Sequence, residues 1–257
     1  MPEANQTLSS QTLFVIGATI GLLLAVEARA SELVLSAVDS GWYDADGRQG
    51  TSANSQNYIA GTLGGPLEYR NFFVFDLSGV EGPISSAVLR AYNPSFQVPG
   101  DTANGFASLA PFETYELFDV DSSIPAMLTS TAGVSFFDDL GSGQSYGSYS
   151  VSAAQNGSVI SFQLSGTALA DLNASSGFFA IGGALTSLAF GPTQEHIFAF
   201  TAGYYGSSSV SNNTRELVLT IIPEPATATL VMLGFATLGI KSRSRTGDRR
   251  RGGVRAR

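Results

Sequence analysis

Short runs of β-forming residues, separated by clusters of Gly, Ser, Asn and Asp, fill the chain between its two ends. This spacing is typical of all-β domains, and no long stretch shows the 3.6-residue period of an amphipathic helix. The pattern predicts one short helix at 167–173, with Ser165 or Thr167 as its N-cap. It predicts nine strands, at 33–38, 71–75, 87–92, 115–120, 148–151, 159–164, 178–181, 197–201 and 217–222.

Two of these strands indicate how the sheets are arranged. Residues 71–75 (Asn-Phe-Phe-Val-Phe) are apolar on both faces, which predicts a central strand covered on two sides. Ile160, Phe162 and Leu164 alternate with polar residues, which predicts that their side chains face inward. We therefore expect an all-β fold, a single jelly-roll-like β-sandwich over residues 31–222.

Composition excludes several functions for this region. The chain has no cysteine, so it can form no disulfide, thiolate metal site or Cys nucleophile. Its net charge is −8, and residues 31–222 contain no lysine and only four arginines. A nucleic-acid surface needs clustered Lys and Arg, so we expect no nucleic-acid partner.

The N-terminal end has the features of a secretory signal peptide. Residues 13–26 form a charge-free apolar run that is too short for a comfortable membrane span. Ala28 and Ala30 then form a small-x-small cleavage pattern, so we expect a signal peptide over residues 1–30 with cleavage after Ala30. The segment before the run contains Glu3 and no Lys or Arg, which leaves an uncleaved anchor or a misassigned start codon as alternatives.

The C-terminal end combines three features in order. Pro223, Glu224 and Pro225 open it, an apolar stretch at 226–240 follows, and a basic tail at 241–257 ends the chain. At 1.5 Å per residue the apolar stretch is at the short limit for a single membrane helix. The positive-inside rule places the basic tail in the cytoplasm and residues 31–222 outside, the topology that a signal peptide also demands.

This end resembles the PEP-CTERM sorting signal of Gram-negative bacteria, on Pro223, Glu224, Pro225 and the cluster Arg249, Arg250 and Arg251. The resemblance covers residues 223–257. It implies an exosortase substrate, held transiently at the inner membrane, cleaved near Pro-Glu-Pro and transferred to the cell envelope or the extracellular matrix. A plain membrane anchor is the alternative, and it explains the helix and the charges but not Pro-Glu-Pro.

Two segments of the central region carry a second resemblance. Residues 69–77 (Tyr-Arg-Asn-Phe-Phe-Val-Phe-Asp-Leu) and 84–92 (Ile-Ser-Ser-Ala-Val-Leu-Arg-Ala-Tyr) are similar to the core motifs of DNRLRE-type domains. Those domains are secreted β-sandwiches grouped with carbohydrate-binding modules. The resemblance implies a fold and a compartment, and it names no ligand.

The sequence contains no recognisable catalytic constellation. His196 is the single histidine, and its place before the apolar residues 197–200 indicates the end of a strand rather than a catalytic base. There is no Gly-x-Ser-x-Gly elbow and no phosphate loop, and one His without Cys cannot form a zinc site. We therefore predict no catalytic residues and a protein that is not an enzyme.

Calcium is the one cofactor that the sequence suggests. Asp44 and Asp46 stand two residues apart before Gly47, like the opening of a calcium loop, although the twelfth position falls on Ser55 instead of Glu. Further oxygen ligands are available in residues 119–121 and 138–139. The alternative is that these are solvated acids of surface turns.

Aromatic residues next to polar loops are candidates for ligand binding, because sugars stack their C–H faces on exposed rings. Ordinary packing of these rings in the core is the alternative interpretation. The candidates are Trp42, Tyr43, Tyr58, Tyr204 and Tyr205.

These features together favour an exported, non-catalytic protein of the cell envelope or extracellular matrix, with exopolysaccharide as its ligand. Two alternatives stay open: a secreted polysaccharide-active enzyme on a jelly-roll fold that uses carboxylates alone, and a purely structural or adhesive matrix protein. Binding of a glycan without turnover would separate the first role from the other two.

Overall fold

The computed structural model describes residues 30–51, 57–95, 105–129, 133–199 and 214–222, which are mostly β-strand. They form thirteen strands and three short α-helices, and every strand pairing is antiparallel. The helices are α1 (Ile124–Thr129), α2 (Val134–Asp139) and α3 (Gly166–Ala174). The strands are β1 (Ser31–Ser36), β2 (Asp39–Asp44), β3 (Gln49–Thr51), β4 (Ala60–Thr62), β5 (Glu68–Asp76), β6 (Ile84–Asn93), β7 (Gly105–Ala107), β8 (Glu113–Phe118), β9 (Ser145–Val151), β10 (Ser158–Gln163), β11 (Phe178–Leu185), β12 (Glu195–Ala199) and β13 (Arg215–Ile221).

The strands make two sheets. The smaller sheet has the order β1-β13-β6-β10. The larger sheet has the order β7-β12-β4-β5-β11-β8-β9, with β2 paired to β5 and β3 paired to β2. All of these strands lie within one compact unit, Ser31–Ile221.

One apolar core lies between the two sheets. The smaller sheet contributes Leu89 and Leu217, and the larger sheet contributes Phe73 and Ile181, all of them buried. Aromatic rings fill much of the space: the centroids of Tyr115 and Phe162, from opposite sheets, lie 5.3 Å apart in a tilted arrangement. Ile160, Phe162 and Leu164 are all buried in this core, as their alternation predicts.

A second apolar cluster lies on the opposite side of the larger sheet. Phe72 and Val74 of β5 pack there with Met127 of α1 and Phe137 of α2. Because Phe73 and Phe75 face the main core, residues 71–75 are buried on both faces. The prediction of a central strand covered on two sides is confirmed.

Arg70 attaches α2 to the sheet. Its guanidinium lies 4.1 Å from the centre of the Phe137 ring, and its Nη1 donates hydrogen bonds to the carbonyl oxygens of Phe137 and Asp138 at 3.1 and 3.2 Å. Its Nε donates to Glu68 at 2.8 Å. The carbonyls at the end of a short helix have no partners within the helix, and a cation there is favourable.

All nine predicted strands are present within the described residues, with ends shifted by a few residues, and the part of 197–201 after Ala199 lies outside them. The helix at 167–173 is also present, and the Ala168 amide donates to the Ser165 hydroxyl, which makes Ser165 the N-cap. The expectation of a single helix is wrong, because α1 and α2 form where apolar residues cover the outer side of β5. The strands that the sequence missed are β2, β3, β4 and β7.

A buried polar network joins the two halves of the larger sheet. The Asn71 side chain donates to the carbonyl of Tyr58 at 2.9 Å and accepts a hydrogen bond from the Tyr115 hydroxyl at 2.8 Å. Burial raises the pKa of Tyr115 far above its usual range, so the hydroxyl keeps its proton and remains a donor. An unpaired polar group in this position would be costly, so the network fixes how these strands meet.

Gly183 leaves the space that this network occupies, and replacing it tests the network's contribution. A Cβ at Gly183 would overlap both the Tyr115 hydroxyl and Asn71 Oδ1. We expect Gly183→Ala to lower the free energy of unfolding by about 2–4 kcal/mol, from overpacking and a lost buried hydrogen bond. Chemical denaturation measures this difference.

Gly166 provides the matched control, because a Cβ there meets nothing within 4 Å and the position is the first residue of α3. Gly166→Ala should change the free energy of unfolding by less than about 1 kcal/mol, in the stabilising direction. Equal effects of the two substitutions would contradict this account of Gly183.

Candidate functional site

An exposed aromatic ring stands beside a cleft of about 310 Å³ at one end of the larger sheet. The ring is Phe178, the first residue of β11, which is 58% exposed. We call this site the Phe178 cleft. Its polar lining residues are Asp119, Asp121, Gln144, Tyr146, Asp171 and Ser175.

Three different elements, β8, β9 and α3, bring these side chains together. Asp119 directly follows β8, Gln144 directly precedes β9, Tyr146 lies in β9 and Asp171 lies in α3. Because β8 and β9 pair along their length, the end of one strand faces the beginning of the other. The cleft is thus a product of strand pairing and of the packing of α3 against β9, and not of a local sequence motif.

Hydrogen bonds hold the lining in place. Asp119 Oδ1 accepts a hydrogen bond from the backbone amide of Gln144 at 2.7 Å. The Tyr146 hydroxyl, which is almost fully buried, donates to Asp171 Oδ2 at 2.9 Å. These bonds leave further carboxylate lone pairs that can accept from a ligand.

The electrostatics of the cleft are acidic. Burial raises the pKa of Asp119, the nearby carboxylates of Asp121, Asp139 and Asp171 raise it further, and the hydrogen bond from Gln144 opposes the shift. No Lys or Arg is among the described residues that line the cleft. The cleft therefore accepts hydrogen bonds from hydroxyl or amine groups and repels anionic ligands.

Two of the predicted sugar-stacking residues are buried. Tyr43 and Tyr58 have no exposed surface, so the expectation that they present a ring face to a ligand is wrong. Tyr43 packs under α1 and α2 and donates to the Met127 carbonyl at 2.5 Å. Tyr58 lies in the main core and donates to the Tyr92 carbonyl at 2.7 Å. Both rings belong to the packing of the fold.

Trp42 differs from these two tyrosines because it is partly exposed. It makes an edge-to-face contact with Tyr69 at 5.1 Å between centroids, in a small cluster with Ile59 and Ala199. Its role in ligand binding stays a prediction. Tyr204 and Tyr205 lie outside the described residues.

Asp44 and Asp46 form hydrogen bonds and ion pairs within the turn of the β2–β3 hairpin. Asp44 is buried, and its Oδ1 accepts from the amides of Asp46 and Arg48 at 3.1 and 2.8 Å. Arg48 also pairs with both carboxylates, at 3.6 Å to Asp44 and 3.2 Å to Asp46. These contacts fit the alternative of turn acids, because Asp44 binds the amides of its own turn and Arg48 pairs with both carboxylates.

No group of three or more His, Cys, Asp or Glu in the part of the chain that the structure describes is arranged to hold a metal ion. His196 is fully buried, and it is the second residue of β12 rather than its end. Its Nδ1 lies 3.0 Å from the carbonyl oxygen of Gly105 and its Nε2 lies 3.4 Å from Gln194 Oε1. These contacts give the imidazole a structural role between β7 and β12.

Most residues of the predicted processing signals fall outside the described part of the chain, apart from Ala30, which is exposed. Within the described residues, no helix has the length and apolar character needed to cross a membrane. The signal residues that lie outside are Ala28, Pro223, Glu224, Pro225, Arg249, Arg250 and Arg251.

No family model matches the chain, and no curated protein matches it. The sequence indicates residues 119–121 as candidate oxygen ligands of a metal, but it gives no signal for Tyr146, Asp171 and Phe178. These residues are far apart in the chain: the pairing of β8 with β9 and with β11 brings Tyr146 and Phe178 close, and the packing of α3 against β9 adds Asp171.

The charge on Asp119 can be tested by Asp119→Asn, which keeps the oxygen that accepts from Gln144. A raised carboxyl pKa means that the folded state disfavours the ionised form. The ionised Asp119 therefore destabilises the folded state, and this loss of stability is complete above the folded-state pKa. We expect Asp119→Asn to raise the free energy of unfolding near neutral pH by roughly 0.5 kcal/mol. The gain should shrink as the pH falls through the folded-state pKa and vanish below the unfolded value.

Asp76 provides a control, because its carboxyl pKa is shifted in the opposite direction to that of Asp119. The backbone amide of Ser78 donates to Asp76 and lowers the pKa of its carboxyl group. This stabilisation is present above the unfolded pKa and is lost as the pH falls through the folded one. Asp76→Asn should therefore lower the free energy of unfolding near neutral pH. Parallel responses of the two variants in pH-dependent denaturation would contradict the assignment.

Proposed function

We propose that this chain is an exported, non-catalytic protein of the cell envelope or extracellular matrix, sorted through a PEP-CTERM signal, whose central region binds exopolysaccharide. The observation that carries the proposal is the order of three features at the C-terminal end: Pro-Glu-Pro at 223–225, an apolar stretch and an arginine tail. A signal-peptide-like segment at the other end gives the same topology. Exosortase is the partner that this signal implies.

The fold of the central region supports a more specific class. Two antiparallel sheets face each other across one core, which is the layer arrangement of a β-sandwich, and we propose a jelly-roll-like version of it. The segments that resemble DNRLRE-type domains correspond to β5 and β6, which are inner strands of the larger and the smaller sheet. Arg70 of the first segment attaches α2, and Leu89 of the second lies in the core.

The Phe178 cleft supports carbohydrate as the ligand class. A sugar ring needs an apolar surface for its C–H face and acceptors for its hydroxyl groups, and the cleft places Phe178 beside Asp119 and Asp171. Its acidic character disfavours uronic-acid polymers and favours neutral or amino sugars. An open cleft at the surface also suits a polymer, which enters from the side.

The two alternatives make different use of the same residues. An enzyme would need one carboxyl group kept protonated and a second one at a set distance from it. The pKa of Asp119 is raised by burial, which is the direction that an acid catalyst needs, but no second carboxylate is assigned to act with it. A purely structural protein would need no ligand at the cleft, and its acidic surface would serve solubility.

Removal of the exposed ring tests the binding proposal. The full chain, purified in a non-ionic detergent, is titrated against neutral, amino-sugar and uronic-acid polysaccharides by calorimetry. We expect binding to a neutral or amino-sugar polymer and a loss of about 2 kcal/mol, roughly thirtyfold in affinity, for Phe178→Ala.

Phe112 is the matched control, because it is 57% exposed and is not among the residues that line the Phe178 cleft. Phe112→Ala should bind as tightly as the unsubstituted chain. Equal losses for both variants would place the binding elsewhere, and a loss in Trp42→Ala alone would assign it to Trp42. Binding to no polysaccharide would favour the structural role, and release of shortened products would favour the enzyme.

A further inference from the structure

β1 forms one edge of the smaller sheet. β1 pairs with β13 on one side, and no other described strand pairs with it. Sheet edges in soluble proteins are usually protected by a proline, a lysine, a bulge or a covering segment. β1 has the sequence Ser-Glu-Leu-Val-Leu-Ser, with no proline and no lysine, and its register with β13 is regular from Ser31 to Ser36.

β1 and β13 have nearly the same sequence. Residues 32–36 are Glu-Leu-Val-Leu-Ser and residues 216–220 are Glu-Leu-Val-Leu-Thr. They pair antiparallel about one centre, where Val34 faces Val218. Around this centre each leucine faces a leucine and each glutamate faces a hydroxyl residue. The chain thus already contains this strand paired with a near copy of itself.

The free edge of β1 presents the groups needed to repeat this pairing. The Ala37 amide donates to the Arg215 carbonyl at 2.7 Å, so these two residues form a hydrogen-bonded pair. Such pairs alternate along an antiparallel ladder, which means that Leu35 and Leu33 also bond toward β13. The backbone groups of Glu32, Val34 and Ser36 therefore point away from β13, toward the free edge.

We infer that a second copy of this chain docks on this edge, with the two β1 strands antiparallel about a two-fold axis at Val34. In this register Val34 faces Val34 of the second copy, and Glu32 faces Ser36 of the second copy. Each facing pair exchanges two backbone hydrogen bonds. The contact is self-complementary, so it closes as a dimer instead of growing into a filament.

Charge and apolar surface both fit this occupant. Glu32 already faces Thr220 and Glu216 already faces Ser36 within the chain, so the dimer repeats a glutamate–hydroxyl pairing that the fold contains. Val34 is 45% exposed, and Leu33 and Leu35 are only partly buried. A second β1 would cover part of this surface.

The inference goes beyond the proposed function and does not depend on it. A dimer would carry two ligand clefts on one body, and two sites on one polymer raise the apparent affinity through effective concentration. The dimer can form whether or not the Phe178 cleft binds a glycan. Its test accordingly measures association and not ligand binding.

The absence of cysteine permits a direct test by disulfide trapping. In a hydrogen-bonded antiparallel pair the Cα atoms are about 5.5 Å apart, within the Cα range of disulfides, and the facing Cβ atoms must approach by roughly 1 Å for the bond to form. The full chain carrying Val34→Cys, in non-ionic detergent with a mild oxidant, should convert to a disulfide-linked dimer on a denaturing gel.

Val38→Cys is the matched control, because Val38 is more exposed, at 53%, and lies beyond the end of β1. It should form at least tenfold less dimer at the same concentration and time. Equal trapping of both variants would show random collision and would overturn the inference. Absence of trapping in Val34→Cys together with a monomeric mass of the unsubstituted chain would overturn it as well.

A second measurement uses mass in solution. Light scattering of the unsubstituted full chain, corrected for detergent, should give twice the chain mass, and Val34→Pro should give the chain mass. The Val34 amide makes no bond to β13, so proline at this edge position removes only the outward donor. Circular dichroism checks that the fold of Val34→Pro is kept, and Val34→Thr, which keeps the amide, should remain dimeric. A monomeric unsubstituted chain overturns the proposal.

Discussion

The double burial of β5 is the constraint on which the rest of this structure depends. A strand with apolar residues on both faces needs a cover on each side, and the two covers come from different parts of the chain. The smaller sheet supplies one, and α1 and α2 supply the other. Arg70 and Asn71, two neighbours in β5, serve these two sides separately: Arg70 binds the end of α2, and Asn71 connects Tyr58 and Tyr115 in the core.

The same constraint produces the Phe178 cleft. The segment that leaves β8, forms α1 and α2 and returns as β9 must begin and end at one edge of the larger sheet, because β8 and β9 pair with each other. Asp119 lies where this segment leaves and Gln144 lies where it returns, and the hydrogen bond between them closes it. The cleft therefore lies at the base of the segment that covers β5, and the ring of Phe178 on β11 lines it.

The spacing of apolar residues predicted the long strands well. Ile160 and Phe162 of β10, with Leu164 directly after it, mark the buried side of this strand, and the continuous apolar run of β5 marks a strand buried on both sides. This spacing did not predict β2, β3, β4 and β7, which are short or polar and exist because a neighbouring strand supplies partners. The cleft was predictable only in its acids at 119–121, since Tyr146 and Phe178 meet through strand pairing and Asp171 arrives through the packing of α3 against β9. The polar neighbours of Tyr43 and Tyr58 in the sequence indicate ligand contact, but this signal does not separate an exposed ring from one that packs inward and donates to a carbonyl.

We propose that the N-terminal segment is an export signal and the C-terminal segment a sorting signal, so that the acidic, mostly β region between them functions outside the cytoplasm. Intact-mass spectrometry of the protein recovered from the envelope or matrix fraction of its own host tests this claim most directly. The account predicts a mature form that starts at Ser31 and ends near Pro223. Recovery of the full-length chain, with both ends intact, from the soluble cytosolic fraction would contradict it.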